Sequence, residues 1–188
     1  CWTLMLSSRN LLDHANGKTI VYPSQDMVLG INFLSRPKKG VKGEGKRYSS
    51  TEELLLACES GACDYQAEVR IPAPKNLVWN KLNQPLTLPP NRVIATTAGR
   101  VLLNEALPSE IPYINYSLTD KDIRGLIEVV YKFHGPFITV NMLDAIKDMG
   151  FRYATFFGAT ISMEDIVKKK KKAQMIEDAN KQVESIQK

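Results

Sequence analysis

The stretch Gly17–Gly30, G-K-T-I-V-Y-P-S-Q-D-M-V-L-G, holds the sharpest local pattern in the chain. Its β-branched and aromatic residues at Thr19–Tyr22 predict a short strand that the following proline ends. Ser24 is a suitable helix N-cap, and Asp26 falls in the first turn, where a carboxylate complements the helix dipole. The pattern therefore predicts a strand and then a helix over Gln25–Ser35.

The predicted helix has one apolar stripe, and it also contains a glycine. The stripe is formed by Met27, Val28, Ile31 and Leu34. A glycine inside a helix costs roughly 1 kcal/mol relative to alanine, so its presence needs a reason. We expect another part of the chain to approach the backbone closely at Gly30.

A basic loop follows, from Arg36 to Arg47, with the sequence R-P-K-K-G-V-K-G-E-G-K-R. Three glycines and a proline disfavour regular structure there, and six basic residues face one acid. Such a loop fits a flexible cationic strip that contacts nucleic-acid or nucleotide phosphates, but we favour the alternative of a solvated surface loop. The candidate phosphate contacts in the loop are Lys38, Lys39, Lys42, Lys46 and Arg47.

Farther along the chain, Arg100 is a further candidate for a phosphate contact. The alternative is a structural ion pair between Arg100 and a carboxylate, and we favour this alternative.

The middle of the chain alternates short helices and strands. A capping box at Ser50–Glu53 opens a helix over Thr51–Ser60, and period-two alternation predicts a strand over Asp64–Pro72. The segment Ala73–Asn91 contains four prolines, so we predict an irregular surface arm there. The segment Arg92–Pro108 predicts a strand, a glycine turn and a short helix.

The second half is predicted to be mostly helical. A capping box at Thr119–Asp122 opens a helix that stops at Gly135, and a second amphipathic helix covers Ile138–Met149. Gly150 is expected to end that second helix, and a further helical turn over Phe151–Phe157 stays open. Beyond the lysine run Lys168–Lys172, apolar residues recur in steps of three, four and three, as in a coiled-coil seam. They are Ile176, Ala179, Val183 and Ile186.

The bulk properties are those of a mildly basic globular protein. The chain has 188 residues, a mass of 21.1 kDa, a formal charge of +5 and a pI near 9.1. No apolar run approaches the roughly 20 residues of a membrane span, and no P-loop, H-E-x-x-H or G-x-G-x-x-G motif occurs. Cys1, Cys58 and Cys63 form no zinc-binding set. The sequence thus contains no recognisable catalytic set and no metal site.

Several phrases of the chain, in matching order, resemble the bacterial-type RNA polymerase β′ subunit. They are the opening L-M-L-S-S-R-N-L-L with Gly17–Gly30, then Gly40–Ser49, Thr96–Pro108 and Leu143–Gly158. Three places depart from the family pattern: His14 replaces a proline, Gln66 replaces a histidine, and Phe156–Phe157 replaces a polar pair. The resemblance covers nearly the whole chain except Ala73–Asn91.

The resemblance implies an α+β fold of mixed short strands and helices within a multi-domain polymerase subunit. Residues 1–162 would form the pore, or secondary-channel funnel, domain, with the proline-rich excursion at 73–91. Residues 163–188 would form the incomplete first rim helix of an antiparallel coiled-coil hairpin. Because the chain starts on Cys-Trp-Thr and ends within a helical pattern, we expect it to be an excerpt of a longer polypeptide.

The function implied by the resemblance is that of DNA-directed RNA polymerase, a nucleotidyltransferase that transcribes DNA into RNA from ribonucleoside triphosphates. This segment would form the pore wall through which nucleotides enter and backtracked RNA 3′ ends leave. In the family an aspartate-rich loop upstream holds the catalytic Mg²⁺, so we expect no catalytic residue and no metal ligand in this chain. Gln25 and Asp26 would lie nearest the active centre as positioning groups, and a buried amide that holds neighbouring backbone is the alternative for Gln25.

The implied partners are the β, α and ω subunits, the remainder of β′, template DNA, nascent RNA, nucleotides and regulators that enter the channel. A cytoplasmic location without membrane association is expected. Two other classes stay open: a stand-alone, non-catalytic interaction module that docks through the seam Ile176–Ile186, and a small basic RNA-binding domain. The RNA-binding class is disfavoured because aromatic residues do not alternate with the basic ones, as stacking platforms would require.

Overall fold

The computed structural model describes residues 2, 4–89, 92–166 and 171–187. They form two compact units, Cys1–Gly158 and Ala159–Lys188. The helices are α1 (Asp26–Ser35), α2 (Thr51–Glu59), α3 (Ala98–Glu105), α4 (Asp120–Phe157) and α5 (Lys172–Gln187). The strands are β1 (Glu68–Pro72), β2 (Leu77–Trp79), β3 (Pro85–Thr87), β4 (Val93–Thr97) and β5 (Tyr113–Ile114). This mixture confirms the predicted α+β class.

The strands of the first unit form two small sheets. In one, β1 pairs antiparallel with β4, so that Glu68 lies opposite Thr97 and Pro72 opposite Val93. The other has the order β3-β2-β5, in which β2 pairs antiparallel with β3 and parallel with β5. The second sheet joins residues that are more than thirty positions apart in the chain, because Val78 lies opposite Tyr113.

The proline-rich segment is not the predicted irregular arm. It folds into the β2–β3 hairpin, and Val78, Trp79 and Leu88 of this segment are buried. Pro85 opens β3, which lies at the edge of its sheet, and an edge strand tolerates a residue without a backbone N–H. The prolines therefore delimit a hairpin that contributes to the cores instead of excluding regular structure.

The start of the chain also departs from the prediction. The expected strand at Thr19–Tyr22 is a single antiparallel bridge between Leu12 and Thr19, closed by a tight turn in which the Asp13 amide donates to the Lys18 carbonyl at 2.7 Å. Helix α1 then begins at Asp26 with Gln25, not Ser24, as its N-cap. No side chain caps this helix, so the predicted serine cap is wrong.

Helix α4 has two helical segments separated at Gly135, whose φ of 75° and ψ of −178° are not helical. Pro136 opens the second segment, where its missing N–H costs nothing. The predicted stop at Gly135 is confirmed, whereas the predicted end at Gly150 is wrong, because the helix continues to Phe157. Gly150 instead packs against α1: a β-carbon there would lie 2.8 Å from the Met27 Cα atom.

Glycines at two further positions allow close packing around α1. A β-carbon on Gly30 would overlap the Gly150 carbonyl oxygen, which confirms the predicted close approach. A β-carbon on Gly99 would overlap the Leu34 carbonyl oxygen. Gly99 lies in the first turn of α3, so the predicted glycine turn before this helix is wrong. Helix α1 is thereby held between α3 and the second segment of α4.

Two apolar cores support these elements. The first lies between α1 and α4 and includes Ile31, Trp79, Leu126, Ile127 and Ile146. The second lies around α2, β1 and α3 and includes Leu54, Val69, Ile71, Val101 and Tyr113. None of the helices in the described residues is long and apolar enough to cross a membrane.

The second unit consists of a short 3-10 turn, Met163–Asp165, and helix α5. The Ser162 hydroxyl caps the turn by accepting a hydrogen bond from the Glu164 amide at 3.2 Å. Most of the predicted lysine run, residues 168–170, lies outside the described residues.

Candidate functional site

The basic loop Arg36–Arg47 is fastened alongside the β1 strand by its backbone. The Gly45 amide donates to the Glu68 carbonyl at 2.8 Å, and the Arg70 amide donates to the Lys46 carbonyl at 2.9 Å. Positive φ values at the loop glycines, 75° at Gly40, 92° at Gly43 and 77° at Gly45, allow this irregular path. These hydrogen bonds hold the loop along a strand, and they limit the flexibility that the sequence predicts.

The cationic side chains of the loop differ in what they contact. The Lys42 ammonium donates to the Gly61 carbonyl at 2.6 Å, beside the end of α2. Within the described residues, Lys38, Lys39, Lys46 and Arg47 are exposed and make no side-chain hydrogen bond or ion pair. Arg47 also forms a backbone bridge with the exposed Arg70 of β1, a cation that the sequence analysis did not single out.

Arg100 is held inside the fold. Its Nε atom donates to the Ser35 carbonyl at 2.9 Å, and its Nη1 atom donates to the Asn115 carbonyl at 3.2 Å and to the Asn115 Oδ1 atom at 3.1 Å. Burial lowers the pKa of this guanidinium from its ordinary value, although arginine stays charged in proteins. The guanidinium thus joins the end of α1 to α3 and β5 through neutral oxygens, where the sequence analysis favoured a carboxylate.

Gln25 and Asp26 lie at the exposed N-terminus of α1. Gln25 is exposed, so the alternative of a buried amide is wrong. Its backbone has φ 50° and ψ −118°, a combination that a residue with a side chain rarely adopts and that costs on the order of 1–3 kcal/mol. The placement of these two residues near an active centre stays a prediction.

A cavity of about 740 Å³ opens at the C-terminal end of α1, and we call it the α1-end cavity. Its aromatic walls are Phe33, Phe156 and Phe157, and its cationic walls are Arg36, Lys38 and Lys39. The rings of Phe33 and Phe157 lie 4.9 Å apart at an interplanar angle of 33°. The Gln66 side chain, which also lines the cavity, donates to the Phe33 carbonyl at 2.7 Å.

No local sequence pattern predicts this cavity. The residues come from three separate segments, namely α1 with the start of the basic loop, residues 64–66, and the end of α4. One local signal pointed to it: the pair Phe156–Phe157 departs from the polar pair of the family pattern, and both rings are partly exposed, at 65% and 42%.

A second cavity, of about 510 Å³, lies between the β2–β3 hairpin and the first segment of α4. Its lining is mostly apolar and includes Leu77, Trp79 and Phe133. The Trp79 indole nitrogen is buried and has no hydrogen-bond partner among the described residues. His134 and Glu110 lie at this cavity, 3.7 Å apart between the Nδ1 and Oε2 atoms.

The cysteines give no support for metal or nucleophilic chemistry. Cys58 and Cys63 are free and buried. Burial, and then the neighbouring Cys63, raise the pKa of the Cys58 thiol to about 12, so this thiol is protonated and unreactive at neutral pH. Over the described part of the chain, no three His, Cys, Asp or Glu side chains come together as a metal site. No group of side chains among the described residues therefore fits the Mg²⁺ that the resemblance implies. That the ligands of this Mg²⁺ lie outside the chain stays a prediction.

Comparison with known proteins gives the family. The family model described as RNA polymerase Rpb1, domain 3, matches residues 10–166. The β′ subunit of DNA-directed RNA polymerase from Treponema pallidum (strain Nichols) is 48% identical over 187 residues, which is 99% of this chain and 12% of that protein. The β′ subunit of Treponema denticola is 47% identical over 186 residues, or 97% of this chain and 12% of that protein.

A third relative agrees with these two. The β′ subunit of Borreliella burgdorferi (strain B31) is 44% identical over 186 residues, which is 99% of this chain and again 12% of the relative. The chain thus spans about 12% of the length of the curated relatives that it matches. It belongs to the RNA polymerase Rpb1 domain 3 family, as part of a DNA-directed RNA polymerase β′ subunit.

Proposed function

We propose that this chain forms part of the pore wall of a DNA-directed RNA polymerase, which transcribes DNA into RNA from ribonucleoside triphosphates. In this role the segment borders the channel through which nucleotides enter and backtracked RNA 3′ ends leave. The chemical step belongs to the whole enzyme and to Mg²⁺ ligands outside this chain. Residues 1–162 then act as the pore domain and 163–188 as the start of the first rim helix.

The basic loop carries the proposal. Its backbone is fixed along β1, while Lys38, Lys39, Lys46 and Arg47 extend exposed positive charge. A row of cations on a firm support attracts anionic nucleotides and RNA without an ordered site for each phosphate. Lys42 contributes less, because its ammonium is already bound to the Gly61 carbonyl.

The remaining assignments follow from membership of the β′ subunit. The proposed partners are the other polymerase subunits, template DNA, nascent RNA, nucleotides and channel-entering regulators, in the cytoplasm. Gln25 and Asp26 are proposed as positioning groups near the active centre. The strained backbone at Gln25 supports this, because such strain persists where the surrounding structure imposes it and often occurs at functional sites.

A crosslinking experiment on the assembled polymerase tests the pore-wall proposal. RNA with 4-thiouridine at its 3′ end is placed in a backtracked complex, irradiated, and the β′ crosslinks are mapped. We expect crosslinks within Arg36–Arg47 that weaken in a triple Lys38→Gln, Lys39→Gln, Lys46→Gln variant. The matched control is Lys132→Gln, an exposed lysine of α4. Crosslinks confined to other segments, unchanged by the triple variant, would refute the proposal.

A stand-alone interaction module is the second candidate. Helix α5 exposes the predicted seam, with Ile176 51%, Val183 52% and Ile186 83% exposed. A helix with such a seam needs a partner helix to bury it. This candidate predicts binding to an external helical partner that depends little on salt, and it predicts no RNA crosslink in the basic loop.

A further inference from the structure

The α1-end cavity combines two features that nucleotides require. Phe156 and Phe157 are partly exposed, and Arg36, Lys38 and Lys39 supply cations to the lining of the same cavity. Aromatic faces stack on bases without regard to sequence, and cations bind phosphates. A volume of about 740 Å³ also lies within the range of sites for small ligands.

The aromatic wall is organised before any ligand arrives. Phe157 leans on Phe33 at 4.9 Å between ring centroids, and Phe156 lies 5.8 Å from Tyr153, so each ring is supported by an aromatic neighbour. Tyr153 itself is buried, which fixes this end of α4. The Gln66 side-chain amide donates to the Phe33 carbonyl at 2.7 Å, which fixes the backbone of the residue that supports Phe157.

The charge balance favours an anion, but weakly. Three cationic residues line the cavity against one carboxylate, that of Asp64. The C-terminal ends of α1 and α4 both lie here, and helix C-termini carry partial negative charge that offsets part of the excess. Such a site holds an anionic ligand loosely and releases it readily, and its occupancy falls as salt rises.

We propose that the α1-end cavity is a transit site for free ribonucleoside triphosphates, with the base stacked on Phe157 and the phosphates beside Lys38 and Lys39. This inference rests on the proposed pore-wall function and adds to it a ligand class and named contacts. The site is formed by α1, the start of the basic loop and the end of α4, all within the first unit. RNA is not the proposed occupant.

The test uses assembled polymerase whose β′ subunit carries the photoreactive residue p-benzoylphenylalanine in place of Phe156. Radiolabelled ATP is added without template, the sample is irradiated, and the label on β′ is quantified. The matched control carries the same photoreactive residue in place of Phe137, which is 77% exposed and does not line the cavity. We expect labelling at the first position, competition by unlabelled ATP, and background labelling at the second.

Variants in the same photoreactive background separate stacking from charge. Phe157→Leu and the double variant Lys38→Gln, Lys39→Gln should each reduce labelling at least about fivefold, whereas Phe157→Tyr should retain it. Gel filtration confirms that each variant still assembles. Equal labelling at the two photoreactive positions, or labelling insensitive to both variants, would overturn the transit site. Absence of labelling would also overturn it, as expected if another segment of the polymerase fills the cavity.

The outcome is separable from that of the pore-wall proposal. If RNA 3′ ends crosslink to the basic loop but free ATP does not label the Phe156 position, the transit site is refuted and the pore wall stands. If free ATP labels this position while RNA never crosslinks to the loop, the cavity binds nucleotides independently of a pore. Failure of both crosslinks refutes both proposals.

Discussion

Gly30 of α1 and Gly150 of α4 meet backbone to backbone, since a β-carbon on Gly30 would overlap the Gly150 carbonyl oxygen. The same β-carbon would lie 2.7 Å from the Ala154 amide nitrogen. The contact is reciprocal, because a β-carbon on Gly150 would lie 2.8 Å from the Met27 carbonyl oxygen. Two rigid helix backbones therefore set the distance between α1 and the second segment of α4.

Gly30→Ala should destabilise the chain by about 2–3 kcal/mol or more, although alanine is the better helix former by about 1 kcal/mol. The added methyl group meets backbone atoms, which cannot move aside as a side chain can. Urea unfolding followed by circular dichroism measures the change in the free energy of unfolding.

Gly125→Ala is the matched control for this prediction. Gly125 also lies in α4, but its β-carbon would meet the terminal Cδ2 atom of Leu82, a flexible side-chain end. We expect a change within about 1 kcal/mol in either direction. Equal destabilisation by the two substitutions would show that backbone contact does not explain the glycine at position 30.

The two glycines show what a sequence pattern can and cannot predict. Gly30 interrupts an apolar helical stripe, so its unfavourable propensity alone indicated a close approach. Gly150 follows an amphipathic stretch, where a glycine more often ends a helix. Its actual role depends on Met27, more than one hundred and twenty positions earlier, and local propensity contains no information about that packing.

Trp79→Ala should cost about 3–5 kcal/mol, because Trp79 is only 5% exposed and belongs to the first core. Leu86→Ala on the partner strand should cost less than about 1 kcal/mol, since Leu86 is 48% exposed. Thermal unfolding of both variants checks the pair. If both variants lost a similar, small amount of stability, residues 73–91 would instead form the irregular surface arm that their four prolines predict.

The error over residues 73–91 has a physical origin. Strand β2 is only three residues long, and its central position in the sheet depends on parallel pairing of Val78 with Tyr113. Parallel strands are joined by a long crossover connection, so the residues next to β2 in the sequence do not indicate which strand it pairs with. The helices, in contrast, were predicted well where caps are local, as at Ser50, whose hydroxyl accepts from the Glu53 amide at 3.2 Å.

Arg100→Met should destabilise the chain by about 2–3 kcal/mol, because the two Asn115 oxygens would lose the guanidinium donor and the Ser35 carbonyl would keep only the longer hydrogen bond from the Ser117 hydroxyl. Arg100→Lys should recover only part of this, since an ammonium cannot reproduce the planar fork of donors. Urea unfolding at low and high salt checks both variants. A phosphate-contact role predicts the reverse: stability close to that of the unmodified chain, and weaker, less salt-sensitive RNA crosslinking.

The free energy of unfolding should fall as the pH rises from about 9 towards 12. In the folded chain the pKa of Cys58 is raised to about 12, mainly by burial, whereas an unfolded thiol ionises near its ordinary pKa of about 8.5. Between these values the folded state binds more protons, so stability is lost with rising pH, and below about pH 8 the contribution is fully present.

Cys58→Ala isolates the thiol from other groups. Burial also raises the pKa values of Tyr48, Tyr113 and Tyr153, each to about 12, and it raises that of Tyr116. Part of the alkaline loss therefore belongs to these phenols and persists in the variant. Urea unfolding at pH 8, 9 and 10 should give a shallower slope for Cys58→Ala, by at most about 1.4 kcal/mol per pH unit. Parallel slopes for the two chains would contradict the prediction.

The candidate site was predictable only where it is contiguous. The basic loop is visible in twelve consecutive residues, and its exposed cations lie where composition suggested. The α1-end cavity could not be predicted, because Phe33, Gln66 and Phe157 come together only after α1 and α4 pack. Its chemistry depends on a tertiary contact between glycines, and neither glycine lines the cavity.

Hydrogen exchange in helix α5 distinguishes a rim helix from a stand-alone docking helix. An isolated helix of its 16 residues is marginal in water, so its amides should exchange rapidly with deuterium in the 188-residue chain alone. In the full β′ subunit a return helix should pack on the seam and protect these amides. Val183→Asp should remove that protection, because packing the return helix would then bury an unpaired carboxylate away from water. Gln182→Asp, beside the seam, is the control and should leave protection unchanged. Rapid exchange in both the chain and the full subunit would refute the rim helix and would favour a partner outside the polymerase.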